Sequence, residues 1–168
     1  MNFLLWPLLF CGFAGAHWFV GQYCAFFGTA PSVLLAATVA CAIASAPAQA
    51  MAFGFFAGLF ADFLAVHLFG GYALLFVITA YAVCFAKSRI YFETPAAQFW
   101  LCAALTLLCA AGYMAESLVF LDKPFPVVWR TWFLTPVYNG ALCMAAFPFF
   151  LLFRPVRRIT SGGGLFGR

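Results

Sequence analysis

Residues 54–71, GFFAGLFADFLAVHLFGG, read as an apolar helix that carries one carboxylate, Asp62, and runs into a Gly-Gly turn. Ala50, Gly54, Gly58 and Asp62 fall at successive i,i+4 positions, which at about 3.6 residues per turn make one slowly rotating stripe. Phe53, Phe56, Phe60 and Phe63 recur at three- and four-residue steps on the other side. One face is therefore small and ends in an acid, and the opposite face is bulky. Water gives no reason for such a helix. A bilayer does: small residues let a second helix come close, while phenylalanines meet lipid.

Composition extends that reading to the whole chain. Of its 168 residues, 67% are hydrophobic and 7% charged, against roughly 25% charged in a soluble domain. The mean hydropathy is +1.07. A fold so poor in charge cannot cover itself with a hydrated surface. The expectation is an all-α, polytopic membrane protein: one transmembrane domain over residues 1–153 and a basic, flexible tail over 154–168. The formal charge of +4 does not point to nucleic acid, because the cations sit in short loops and the tail, where they set orientation. Seven cysteines, at 11, 24, 41, 84, 102, 109 and 143, form no CxxC pair and read as small polarizable packing residues. His17 and His67 lie in different segments without a second His at ligand spacing, so no metal or cofactor is expected.

Six apolar segments follow one another. The first, 3–20, lacks a basic n-region and reads as a retained helix rather than a cleaved signal. The second starts at Pro31, a favourable first-turn residue, and runs to 46. The third covers 48–66 and the fourth 70–86. Lys87 to Glu93 is the clearest polar loop. Thr94-Pro95 then reads as a helix cap plus first turn, opening the fifth segment, which ends near 121. Asp122 to Trp132 mixes charges, prolines and tryptophans, as interfacial stretches do. Thr135-Pro136 repeats the cap-and-proline start, and the sixth segment ends at Phe153. The second and fourth segments are short against the roughly twenty residues of a spanning helix. Charge still favours six spans. Lys87 and Arg89 lie in one loop and Arg154, Arg157, Arg158 and Arg168 in the tail. Two segments separate the clusters, so both fall on the cytoplasmic side. Both termini are then cytoplasmic.

Two acids lie inside apolar segments, Asp62 in the third and Glu116 in the fifth. Both segments run in the same direction in this topology, which sets the carboxylates at similar depth in the outer part of the bilayer. His67 and Arg130 fall near that level, making a candidate outer polar cluster of His67, Glu116 and Arg130. An ionised side chain in hydrocarbon costs roughly 3 kcal/mol on insertion scales, so each acid needs a partner, a proton or water. Asn139, one turn into the sixth segment, reads as an interhelical hydrogen-bonding amide. Gly12 and Ala16 make a small-xxx-small patch in the first segment. The chain shows no nucleophile elbow, HExxH or phosphate loop, so no catalytic residue is expected.

The stretch GFFAGLFADFLAVHLFGGYALLFVITAYAV, residues 54–83, resembles the rod shape-determining MreD family. It has the Gly-rich helix, the apolar-flanked Asp, the short turn with Phe69-Gly70, and the following helix with Ala80-Tyr81. Asn139-Gly140 in VYNGALCMAAFPFFLLFRPVRR, ahead of a Pro-containing apolar helix and a basic tail, is similar to a second family pattern, as is Pro31 before the second helix. The likeness covers roughly residues 30–158. His67 in the turn and the Cys- and Phe-rich composition depart from the family.

The resemblance implies a non-enzymatic inner-membrane component of the bacterial elongation (Rod) complex, in cell-shape maintenance and lateral peptidoglycan synthesis. The implied partner is MreC, with indirect links to the MreB filament, RodA and its penicillin-binding partner. It also implies a six-helix bundle similar in shape to the substrate-binding subunits of energy-coupling-factor transporters. Such a subunit of a vitamin-type transporter is the alternative function. In the adaptor reading Gly54, Gly58, Asp62 and Asn139 serve packing against a partner helix or the fifth or sixth segment. Arg154, Arg157 and Arg158 would contact anionic lipid or a partner.

Overall fold

The computed structural model describes residues 5–23, 29–65, 69–87, 89, 94–121 and 129–151, with backbone alone at 5, 121 and 129–131. Six helices follow in order: α1 Leu5–Tyr23, α2 Val33–Ala44, α3 Pro47–Leu64, α4 Gly71–Lys87, α5 Pro95–Leu121 and α6 Trp129–Leu151. Pro47–Leu64, Pro95–Phe120 and Trp132–Leu151 are each long and apolar enough to cross a membrane. The chain is an all-α membrane bundle.

The shortest helix is its centre. α2 has 12 residues, VLLAATVACAIA, and all of them are buried. At about 1.5 Å per residue it spans far less than a hydrocarbon core of about 30 Å. An apolar sequence with no polar face buries on every side, and its alanines let neighbours approach. α2 accordingly packs against all five other helices. Thr38, the polar residue within it, donates its hydroxyl to the Leu34 carbonyl at 2.8 Å.

Local chemistry moves several boundaries. Ser32 is the N-cap of α2, its hydroxyl accepting the Leu35 N–H at 3.4 Å, so Pro31 precedes the helix instead of entering its first turn. Pro47 opens α3, where a missing N–H costs nothing. Thr135-Pro136 is not a helix start: α6 begins at Trp129 and carries Pro136 and Pro148 inside it. Part of the expected interfacial stretch is thus helical. Lys87 is the last residue of α4 rather than a loop residue.

The phenylalanine face of α3 is divided. Phe56 and Phe63 are exposed. Phe53 is buried between Phe10 of α1 and Phe150 of α6, with ring centroids at 5.9 and 5.5 Å, and Phe60 meets Phe10 at 6.3 Å. α1 covers that half, so only the other half is left for lipid.

Candidate functional site

The polar groups gather at the two ends of the short helices. Asp62 projects from the last turns of α3 toward the start of α4. The first N–H groups of any helix lack partners within it. Here the Tyr72 N–H donates to Asp62 Oδ1 at 2.9 Å and the Ala73 N–H to Oδ2 at 3.0 Å. Asp62 is 2% exposed. Its carboxyl group also sits at the positive end of the α4 dipole.

Glycine makes that reach possible. A Cβ built on Gly58 would lie 2.5 Å from the Tyr72 carbonyl oxygen and 2.6 Å from the Ala73 nitrogen. On Gly54 it would lie 2.9 Å from the Phe76 carbonyl oxygen and 3.2 Å from Thr38 Cγ2. The small stripe is therefore a backbone-to-backbone seam, and the helix that fills it is α4, with α2 at its far end. Gly70, at φ 103°, turns the chain into α4, a conformation that glycine adopts without a Cβ penalty.

Asn139 is fully buried. Its Oδ1 accepts the Ser32 N–H at 2.8 Å and its Nδ2 donates to Thr106 Oγ1 at 3.2 Å. Cys102 Sγ donates to the Asn139 carbonyl at 3.3 Å. One amide thus ties the start of α2 to α5 and α6. The opposite end of α2 is held by a residue that sequence reasoning treated as an orientation signal. Lys87 Nζ donates to the carbonyls of Ala42, Ile43 and Ser45 at 3.0, 3.1 and 2.7 Å, satisfying acceptors that the helix end leaves free. The only hint in the sequence is a lysine directly after an apolar run.

Glu116 comes to the same turn as Asp62. Its carboxylate lies against Gly71, where a Cβ would collide with Oε2. That oxygen is buried with no hydrogen-bond partner among the described residues. His67, Arg154, Arg157 and Arg158 lie outside the described residues, as does the side chain of Arg130. Of the candidate outer cluster, Glu116 alone can be placed.

A cavity of about 510 Å3 opens beside these groups, walled by residues of all six helices, among them His17, Leu35, Tyr72, Tyr113, Trp132 and Thr135. Tyr72 and Tyr113 stack at 4.8 Å. Among the described residues no three His, Cys, Asp or Glu side chains gather as metal ligands. The described cysteines are free thiols; Cys109 Sγ lies 3.1 Å from Thr79 Oγ1 and Cys84 donates to the Ala42 carbonyl at 3.9 Å. What this arrangement does chemically is terminate helices and join them.

Compared with known protein families, residues 1–156 match the model of rod shape-determining protein MreD. No curated protein gives a significant match, and neither does any solved structure.

Proposed function

This chain belongs to the MreD family of rod shape-determining proteins, and from that premise we propose that it is a non-enzymatic adaptor of the Rod complex that binds MreC in the inner membrane. It is a membrane protein of cell-shape determination. Through MreC the adaptor would reach the MreB filament, RodA and its penicillin-binding partner, and so lateral peptidoglycan synthesis. Both termini are assigned to the cytoplasm on the positive-inside argument, with Arg154, Arg157 and Arg158 meeting anionic lipid or a partner.

The observation that carries the reading is how the glycines are used. Gly54 and Gly58 are closed by α2 and α4, so they offer a partner nothing. Gly12, Gly15 and Gly21 of α1 have no atom within 4 Å of where a Cβ would stand. Among the described residues α1 packs by its backbone on α2 and α3, and Leu8, Trp18, Phe19 and Tyr23 beside the glycines are exposed. Gly12 and Gly15 share one side of α1 with the exposed Leu8, Phe19 and Tyr23, and a single membrane helix such as the MreC anchor fits an open glycine face of this kind.

The test is co-purification with MreC. Gly15→Leu is expected to fold normally and to lose most of the recovered MreC. Full recovery with Gly15→Leu and Gly12→Leu, both folded, would remove α1 as the contact. Failure of the whole protein to recover MreC, or to restore rod shape to a deletion strain, would remove the adaptor reading itself.

A further inference from the structure

α1 and α6 meet through Phe13. Phe13 stacks on Phe150 at 5.2 Å and meets Phe149 edge-on at 6.4 Å, and Phe53 closes the same cluster against Phe10 and Phe150. One turn along α1 from Phe13, His17 of α1 and Trp132 and Thr135 of α6 wall the cavity. The chamber lies beside the starts of α2 and α4, with Ser32, Leu35, Tyr72 and Phe76 in its wall.

We propose that this cavity is a binding site for a small uncharged amphiphile, a flat ring bearing one or two hydrogen-bonding groups. Its volume of about 510 Å3 falls within the roughly 300–1,000 Å3 of small-molecule sites and far exceeds the roughly 30 Å3 of one water. Charge selects against anions. Among the described lining residues there is no Asp, Glu, Lys or Arg, and Asp62 nearby commits both oxygens to backbone N–H groups. An anionic ligand would lose its hydration and find no cationic partner among the described lining residues.

The walls select for a ring. Stacked Tyr72 and Tyr113, with Phe76 and Trp132, present aromatic surface to the chamber, and offset stacking rewards a planar guest. Two wall residues then carry polar atoms that find no partner among the described residues: His17 Nδ1 and Thr135 Oγ1 are buried and unpaired there. A flip of the imidazole or a turn of the hydroxyl presents either atom to a guest. An acyl chain would leave both atoms unsatisfied, whereas a ring with a hydroxyl or amide would pair them. This inference is independent of MreC binding, since Gly12 and Gly15, the positions substituted to test that contact, do not line the chamber.

The experiment uses the full-length protein in detergent with three neutral ring alcohols as probes: tryptophol, 2-naphthol and 4-phenyl-1-butanol. Indole-3-acetate serves as the charged control and 1-decanol as the chain control. At least one ring alcohol is expected to raise Tm saturably, with no saturable effect of either control. Ala110→Phe, which fills the chamber from α5, is expected to abolish the shift. Thr135→Val, which keeps the shape and removes the hydroxyl, is expected to weaken the midpoint about five- to tenfold, as loss of one hydrogen bond does. Three results would each overturn the proposal: no saturable shift with any ring alcohol, an equal shift in folded Ala110→Phe, or an equal shift with 1-decanol. The last would make the chamber a lipid-chain slot.

Discussion

Asp62 and Glu116 are two carboxylates at one place with opposite fortunes. Both come to the first residues of α4, one from α3 and one from α5. Asp62 receives two backbone N–H groups and disappears into the bundle. Glu116 lies against Gly71 with an oxygen that no described group satisfies. The difference lies in the backbone behind each acid. Gly58, one turn before Asp62, lets α3 lie directly on α4, so a short side chain arrives at the helix end with both oxygens aligned. α5 stands farther off, and the longer glutamate crosses the gap to reach a helix end already capped. A buried charge is tolerated where donors are built for it.

The comparison breaks most visibly at Gly58. In Gly58→Leu the side chain meets Ala73 and Tyr72 backbone, which cannot yield, and α3 must leave α4. The expected cost exceeds about 3 kcal/mol, seen as loss of a monodisperse peak in size-exclusion chromatography. Next comes Asp62→Leu, which strands two N–H groups and should cost about 2–5 kcal/mol, while Asp62→Asn keeps one acceptor and should cost about 1–2 kcal/mol. Unfolding in mixed micelles measures both, and equal losses would show that the carboxylate's second oxygen contributes nothing. Lys87→Met tests whether the far end of α2 obeys the same rule. Three carbonyls lose a charged donor, for an expected loss of about 2 kcal/mol. Smallest are the changes around Glu116. Glu116→Gln and Gly71→Ala should each stay within about 0.5 kcal/mol, because the added Cβ meets only the end of a flexible side chain. A loss as large as that of Asp62→Leu would make Glu116 a second cap.

The stripe of Ala50, Gly54, Gly58 and Asp62 is plain in the sequence, because i,i+4 spacing survives any folding. What meets it is not. Small residues say that a backbone comes near, and every span in this chain is apolar enough to be that neighbour. The phenylalanines show the limit from the other side. Phe53, Phe56, Phe60 and Phe63 look alike by period and chemistry, yet α1 covers only Phe53 and Phe60. Asn139 announces itself as a buried amide; that it ties Ser32 to Thr106 depends on three distant segments. Lys87 was the most hidden. A lysine after an apolar run looks like a topology signal, and its role at the end of α2 exists only once α2 and α4 pack.

Local chemistry, then, determined that this chain is helical and membrane-bound, since so few charges cannot clothe a fold in water and backbone groups in lipid must bond within their own helix. It also determined where α3 can be approached closely. Tertiary structure alone decided that the shortest helix becomes the centre, and that an acid, an amide and a lysine finish the ends of helices other than their own. The reason is physical: a helix end needs donors and acceptors in three dimensions, and only the packed bundle says which side chain stands there.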